Sequence, residues 1–186
     1  MLVCLICGMI INEKNYNFNE DAFLSKNEVT EIKYCPFCGA SKEFLIEDGK
    51  ILSVDSKSLN KETLKVLDHA VKLELFNSEF YAEAAKMADK LQIKKTFESL
   101  SRIENFHAKV HQKIGGFKEL PKLAKVSYQK YDSDELLLDL ARQKEEHAVK
   151  FYQTNKGVVK DDNILKIFDA LIRVEEDHIL LTGKKN

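Results

Sequence analysis

A chain of 186 residues carries 29 Lys and Arg against 30 Asp and Glu, a formal net charge of −1, with 44% hydrophobic and 32% charged residues. That length buries a core in one large domain, or in one ordinary domain plus a small module. The balanced charge, without a dense Lys/Arg run, excludes a basic nucleic-acid binder. Two prolines and seven glycines are too few for a loop-rich β protein and point to long helices. The longest apolar run, Met1–Ile11, is broken only by Gly8. It falls short of the roughly 18 residues that span a bilayer. It also lacks a basic lead-in and a small-residue cleavage site. A soluble, cytoplasmic protein with no membrane or nucleic-acid partner is expected.

The first 48 residues form a distinct segment holding all four cysteines. They lie in two Cys-x-x-Cys-Gly knuckles, Cys4–Gly8 and Cys35–Gly39. Paired knuckles supply four thiolates to one tetrahedral metal, and the following Gly allows the tight turn. A thioredoxin-like dithiol belongs near a βαβ pattern, which is missing here. Disulfides are disfavoured in the expected compartment. Iron and zinc both stay open at Cys4, Cys7, Cys35 and Cys38. The 27-residue gap from Gly8 through Tyr34 exceeds the ~15–20 residues of the commonest Cys4 zinc spacing and is close to a rubredoxin's. No Trp is present, but Tyr16, Phe18, Phe23, Tyr34 and Phe37 can build a small aromatic core. The polar stretch Glu47–Ser58 reads as a connector.

From residue 58 to 186 the chain reads as four helices. The first runs from about Leu59 to Lys90, with Leu64, Leu67, Val71, Glu74, Ser78, Tyr81 and Ala85 on one face. After a break at Asp89–Gln92, the second runs from Ile93 to Ile114 and stops at Gly115-Gly116. The third starts at Asp132–Asp134 and ends near Thr154, and the fourth covers Asn163–Leu181. Short links make the first–second and third–fourth pairs antiparallel hairpins. The middle link, residues 117–131, reaches about 50 Å at ~3.3 Å per residue, against about 36 Å for a ~24-residue helix. It can therefore cross the bundle. The expected fold is mainly α: a ferritin-like four-helix bundle with one long crossover, preceded by a small rubredoxin-like Cys4 module.

Shifting the sequence by 71 residues lays the second half of the bundle on the first. Leu67, Asp68, Ala70, Glu74, Phe80 and Tyr81 land on Leu138, Asp139, Ala141, Glu145, Phe151 and Tyr152. Phe97, Leu100, Arg102, Glu104 and His107 land on Phe168, Leu171, Arg173, Glu175 and His178. Each hairpin thus offers one Glu, then 30 residues later a Glu-x-x-His whose two members share a helix face. Four buried carboxylates need compensation, and two divalent cations balance them. Glu74, Glu104, His107, Glu145, Glu175 and His178 make up the di-iron or di-manganese carboxylate pattern. This oxygen-rich donor set suits Fe(II) or Mn(II). A duplicated bundle whose acids face water is the plainer reading, and the fact that the shared residues are the ligand set itself argues against it.

Tyr81 and Tyr152 each follow the lone Glu by seven residues. Their hydroxyls can either hydrogen-bond a bridging carboxylate or serve as core aromatics with one wet end. His111 has no counterpart in the second half, which favours a place at the surface or behind the ligands. His69 and His147 lie off the ligand face.

On these knuckles and this ligand set the sequence resembles a rubrerythrin over nearly its whole length. The Cys module comes first, as in the "reverse" members of that family. The resemblance implies reduction of hydrogen peroxide at the six-residue di-iron site, in defence against oxidative stress. It also implies a third iron at the cysteines, electrons from an NAD(P)H-dependent rubredoxin reductase-type donor, and a homodimer in which one subunit's module faces the other's bundle. Family members commonly carry a further Glu three residues after the third-helix Glu. Ala148 stands there, which raises a di-iron oxidase, ferroxidase or iron-handling role as the alternative. A non-catalytic scaffold stabilised by a structural zinc ribbon is the third possibility.

Overall fold

The computed structural model describes residues 1–183, so the last three positions of the expected 58–186 segment lie outside the described residues. Three short strands open the chain: β1 (Leu2–Cys4), β2 (Ile10–Ile11) and β3 (Leu45–Glu47). They form an antiparallel sheet in the order β2-β1-β3, with Val3 opposite both Ile10 and Ile46. The strands are too short for periodicity to mark them in the sequence. Of the five aromatics expected in a module core, Phe37 is buried. Phe23 stacks on Tyr34 at 3.8 Å, and Phe18 lies half exposed, 5.2 Å from Phe37.

Four helices follow: α1 (Lys61–Met87), α2 (Leu91–Gly115), α3 (Asp134–Asn155) and α4 (Asp162–Thr182). Their starts are set by side-chain caps that relieve unpaired backbone N–H groups. Asn60 accepts from the Thr63 N–H at 2.7 Å, which starts α1 two residues after the expected Leu59. Ser133 caps α3, and Asp161 accepts from both Asn163 and Ile164. At its far end α2 stops where Gly116 takes φ 68°, a left-handed conformation that glycine adopts without penalty.

The connection from residue 117 to 133 crosses the bundle. It leaves the end of α2 beside Ser56, close to the start of α1. It reaches α3 at the opposite end, where the Asp134 carboxylate accepts from the Asp89 and Lys90 N–H groups at 2.9 and 3.1 Å. Partway along, Tyr128 is buried edge-on against Phe80 at 5.1 Å. Helices α2 and α3 therefore run parallel, the one-crossover arrangement. Two apolar clusters fill the bundle, one around Leu67, Phe151, Tyr152 and Phe168, the other around Phe80, Tyr81, Phe97 and Leu137. Among the described residues no helix is long and apolar enough to cross a membrane.

Candidate metal centres

The two knuckles of the N-terminal segment face each other. Cys4 and Cys38 sulfurs lie 3.7 Å apart, Cys7 and Cys35 sulfurs 3.6 Å apart, and all four fall within 4.8 Å of one another. A tetrahedral site with metal–sulfur bonds of ~2.3 Å has edges of about 3.8 Å, so the cluster has the size of a metal cage. Gly8 and Gly39 close the two turns at φ 79° and 76°. Burial pushes the Cys35 thiol up, and the neighbouring sulfurs push Cys38 up while they hold Cys4 low. Without a cation the four sulfurs must share protons. A cation lets all of them ionise.

In the bundle Glu74 comes from α1, Glu104 and His107 from α2, Glu145 from α3, and Glu175 and His178 from α4. All six are fully buried, apart from 1% of His178. Their donor atoms form two groups within 4.8 Å: Glu74, Glu104, His107 and Glu175; and Glu104, Glu145, Glu175 and His178. Glu104 and Glu175 belong to both. His107 Nδ1 lies 3.1 Å from Glu175, and His178 Nδ1 lies 2.9 Å from Glu175 and 3.3 Å from Glu104. Oxygens of all four Glu, together with His107 Nδ1, are buried without a hydrogen-bond partner. Such orphaned acceptors are costly in a packed interior. Two oxophilic divalent ions with carboxylate and imidazole ligands would satisfy them.

The electrostatics agree. Burial first, then the charges of Glu104 and Glu175, push Glu74 and Glu145 well above the usual carboxylate range. Burial alone would lower the two histidines, but the carboxylates beside them raise His107 and lift His178 to about 10. Protons occupy the place that metal charge would fill.

The tyrosines cross over between repeats. Tyr81 donates to Glu145 and Tyr152 donates to Glu74. Each hydroxyl reaches a carboxylate that belongs to one group only, so of the two readings open from spacing the carboxylate bond is the one present, on the unshared Glu. The reason is that antiparallel hairpins face each Tyr toward the opposite repeat. His111 lies behind the ligands, fully buried, with Nε2 2.7 Å from the Tyr152 hydroxyl.

The cysteine segment sits on its own bundle. His107 Nε2 donates to the Cys38 carbonyl at 2.9 Å, and Phe37 packs edge-on to Phe106 at 5.5 Å. The repeat-related arginines hold it on either side: Arg102 donates to Asn19 Oδ1 at 2.8 Å, and Arg173 donates to Glu43. These contacts form between the module and the bundle of one chain.

A comparison with protein-family models matches residues 65–182 to Rubrerythrin. The chain belongs to the rubrerythrin family. Comparisons with curated proteins and with solved structures gave no match. Membership makes this a protein of an iron-binding oxidoreductase family tied to oxidative stress. The matched segment contains the whole six-residue cluster, and the Cys4 group precedes it, as in a rubrerythrin with a leading rubredoxin-like module.

Several residues around the centres escaped sequence reasoning. Asn19, which also donates to the Pro36 carbonyl at 3.0 Å, and Glu43 had no pattern to mark them. Their partners Arg102 and Arg173 were visible as a repeated pair. Asn77 lands on Ala148 in the repeat, and its buried Nδ2 has no partner.

Proposed function

We propose that the chain is a cytoplasmic peroxide reductase active in oxidative-stress defence. Glu74, Glu104, His107, Glu145, Glu175 and His178 would hold two irons, and Cys4, Cys7, Cys35 and Cys38 a third. Bound there, iron supplies the two electrons that turn one H2O2 and two protons into two waters. The protein's own part is to hold and to insulate. The apolar clusters on either side exclude water, so the charged groups between them interact strongly. Tyr152 and Tyr81 each donate the hydroxyl proton in a hydrogen bond to a carboxylate, Glu74 and Glu145, on opposite sides of the site.

One observation carries the electron-relay reading. The Cys38 carbonyl accepts from His107 Nε2, so a residue of the sulfur cluster is hydrogen-bonded to a residue of the carboxylate cluster. An NAD(P)H-dependent reductase of the rubredoxin-reductase type is the proposed donor, and a homodimer the proposed assembly. Stopped-flow mixing tests the reading: reduced protein is expected to be reoxidised far faster by H2O2 than by O2. Turnover is expected with NAD(P)H and a reductase, and a preference for O2 would defeat the proposal.

A second reading rests on Ala148, whose methyl is fully buried one turn from Glu145, where the family commonly has a carboxylate. A site without that movable ligand favours ferroxidase chemistry. Net Fe(II) consumption with more than two bundle irons per chain would establish it. A single zinc per chain and nothing else would leave only a scaffold.

A further inference from the structure

The duplicated sequence implies two equal halves, and the six inward side chains nearly obey. The groups behind them do not. Tyr152 donates to Glu74 and has His111 Nε2 2.7 Å from its hydroxyl oxygen. Its repeat mate Tyr81 donates to Glu145, but the position matching His111 is Thr182. The Thr182 hydroxyl turns instead to the His178 carbonyl at 2.8 Å. The imidazoles differ as well: His107 Nε2 is tied to the Cys38 carbonyl, while His178 Nε2 is buried without a partner.

Hydrogen counting fixes the roles. A phenol has one proton, and Tyr152 gives it to Glu74, so its oxygen can only accept from His111. His111 is therefore the Nε2–H tautomer, with Nδ1 bare, and Nδ1 is buried without a partner. Donation into the phenol oxygen strengthens the bond the phenol makes to Glu74. One Glu74 oxygen is then tied down, and the other, Oε2, is left without a partner for a cation. Donation to a carboxylate also draws density from it. However, groups that orient a ligand from behind are typically worth about 10–100-fold in metal affinity, so orientation wins.

We propose that His111 is a positioning residue: through Tyr152 it sets Glu74 and makes the Glu74–Glu104–His107–Glu175 position the tighter of the two cation positions. This rests on the reading that the six side chains hold two divalent ions. The test is Mn(II) binding to the full chain with zinc in the cysteine site. Wild type is expected to take two Mn(II) in separated steps. His111→Phe keeps a ring and removes the donor. It should weaken the first step about tenfold and leave the second nearly unchanged. His111→Gln, which retains an N–H, should restore the first step. Nitrogen NMR of the wild-type imidazoles, with diamagnetic Zn(II) in the bundle so that Glu74 is ionised, should show His111 as the Nε2–H tautomer, a readout that holds even if the Phe variant does not fold. The Nδ1–H tautomer, equal weakening of both steps, or no change would each overturn the proposal. Wild type that takes no Mn(II) would overturn the six-ligand reading and this proposal with it. Two ions bound without dependence on His111 would overturn this proposal alone.

Discussion

At the centre of the bundle Glu104 and Glu175 each stand in both groups of converging donors, whereas Glu74 and Glu145 stand in one apiece. Unequal losses should follow. Glu104→Ala or Glu175→Ala is expected to empty both bundle positions and leave the cysteine site loaded, as metal analysis would show. Glu74→Ala or Glu145→Ala should weaken mainly one position. If Glu104→Ala and Glu175→Ala both keep full bundle metal, the assignment fails. The same residues set a pH dependence. In the folded state without bundle metal, Glu74 and Glu145 hold protons above the ordinary 4.5, and His178 holds its proton up to about 10 against 6.5. Above these ordinary values the unfolded chain releases the protons first, so unfolding gains as pH rises. Glu104, held low, is ionised in both states above about pH 5 and adds no slope there. The melting temperature of protein lacking bundle metal is therefore expected to fall from pH 6 to 8.5. The increment from added Mn(II) should grow over the same range, because the metal displaces those protons. A flat or rising profile without bundle metal would contradict the buried charge balance.

Among the elements, the second knuckle decides how the two centres meet. Gly39 takes φ 76°, and a Cβ there would lie 2.7 Å from Val174 on α4. The position therefore needs glycine both for its backbone and for its approach to the bundle. Gly39→Ala is expected to cost about 1–3 kcal/mol. It should also raise hydrogen exchange at the module–bundle contact. The arginines Arg102 and Arg173 act at the same joint, one from each repeat. Exchanging both for Ala should slow electron passage from the cysteine centre while the bundle still binds metal. If passage keeps its wild-type rate in that double variant, the docking contact does not govern the relay. The repeat made these arginines visible in the sequence as a matched pair. Their work was not visible, because Asn19 and Glu43 meet them only once the module folds onto the α2 and α4 face.

For the molecule as a whole, the module lies on the bundle of its own chain, so both centres and the bond joining them belong to one polypeptide. Electron passage between them is expected to be first order and independent of protein concentration. A rate that falls on dilution would indicate exchange between subunits. Metal is also expected to carry part of the fold. Removing the bundle ions would leave the buried acids to be balanced by protons on Glu74, Glu145, His107 and His178. Ions at about a thousand times their dissociation constant stabilise by about 4 kcal/mol. Chelation should therefore lower the melting temperature measurably, and an unchanged value would mean that the bundle positions are empty in the purified protein.

The four helices, the crossover and the six inward side chains were legible because each follows from local rules. Apolar spacing marks a helix face, link length limits topology, and a 71-residue repeat aligns ligand with ligand. The three strands were not legible, since two or three residues carry no period. The sequence by itself determined which six donor side chains turn inward together, because an α-helix places residues three or four apart on one face whatever surrounds it. Tertiary structure alone decided the pairing behind them: Tyr81 to Glu145, Tyr152 to Glu74 and on to His111, and Cys38 to His107. Those partners lie on different helices, or on the module and the bundle. Which of them meet depends on how the antiparallel hairpins and the docked module pack, and no spacing along the chain encodes that packing.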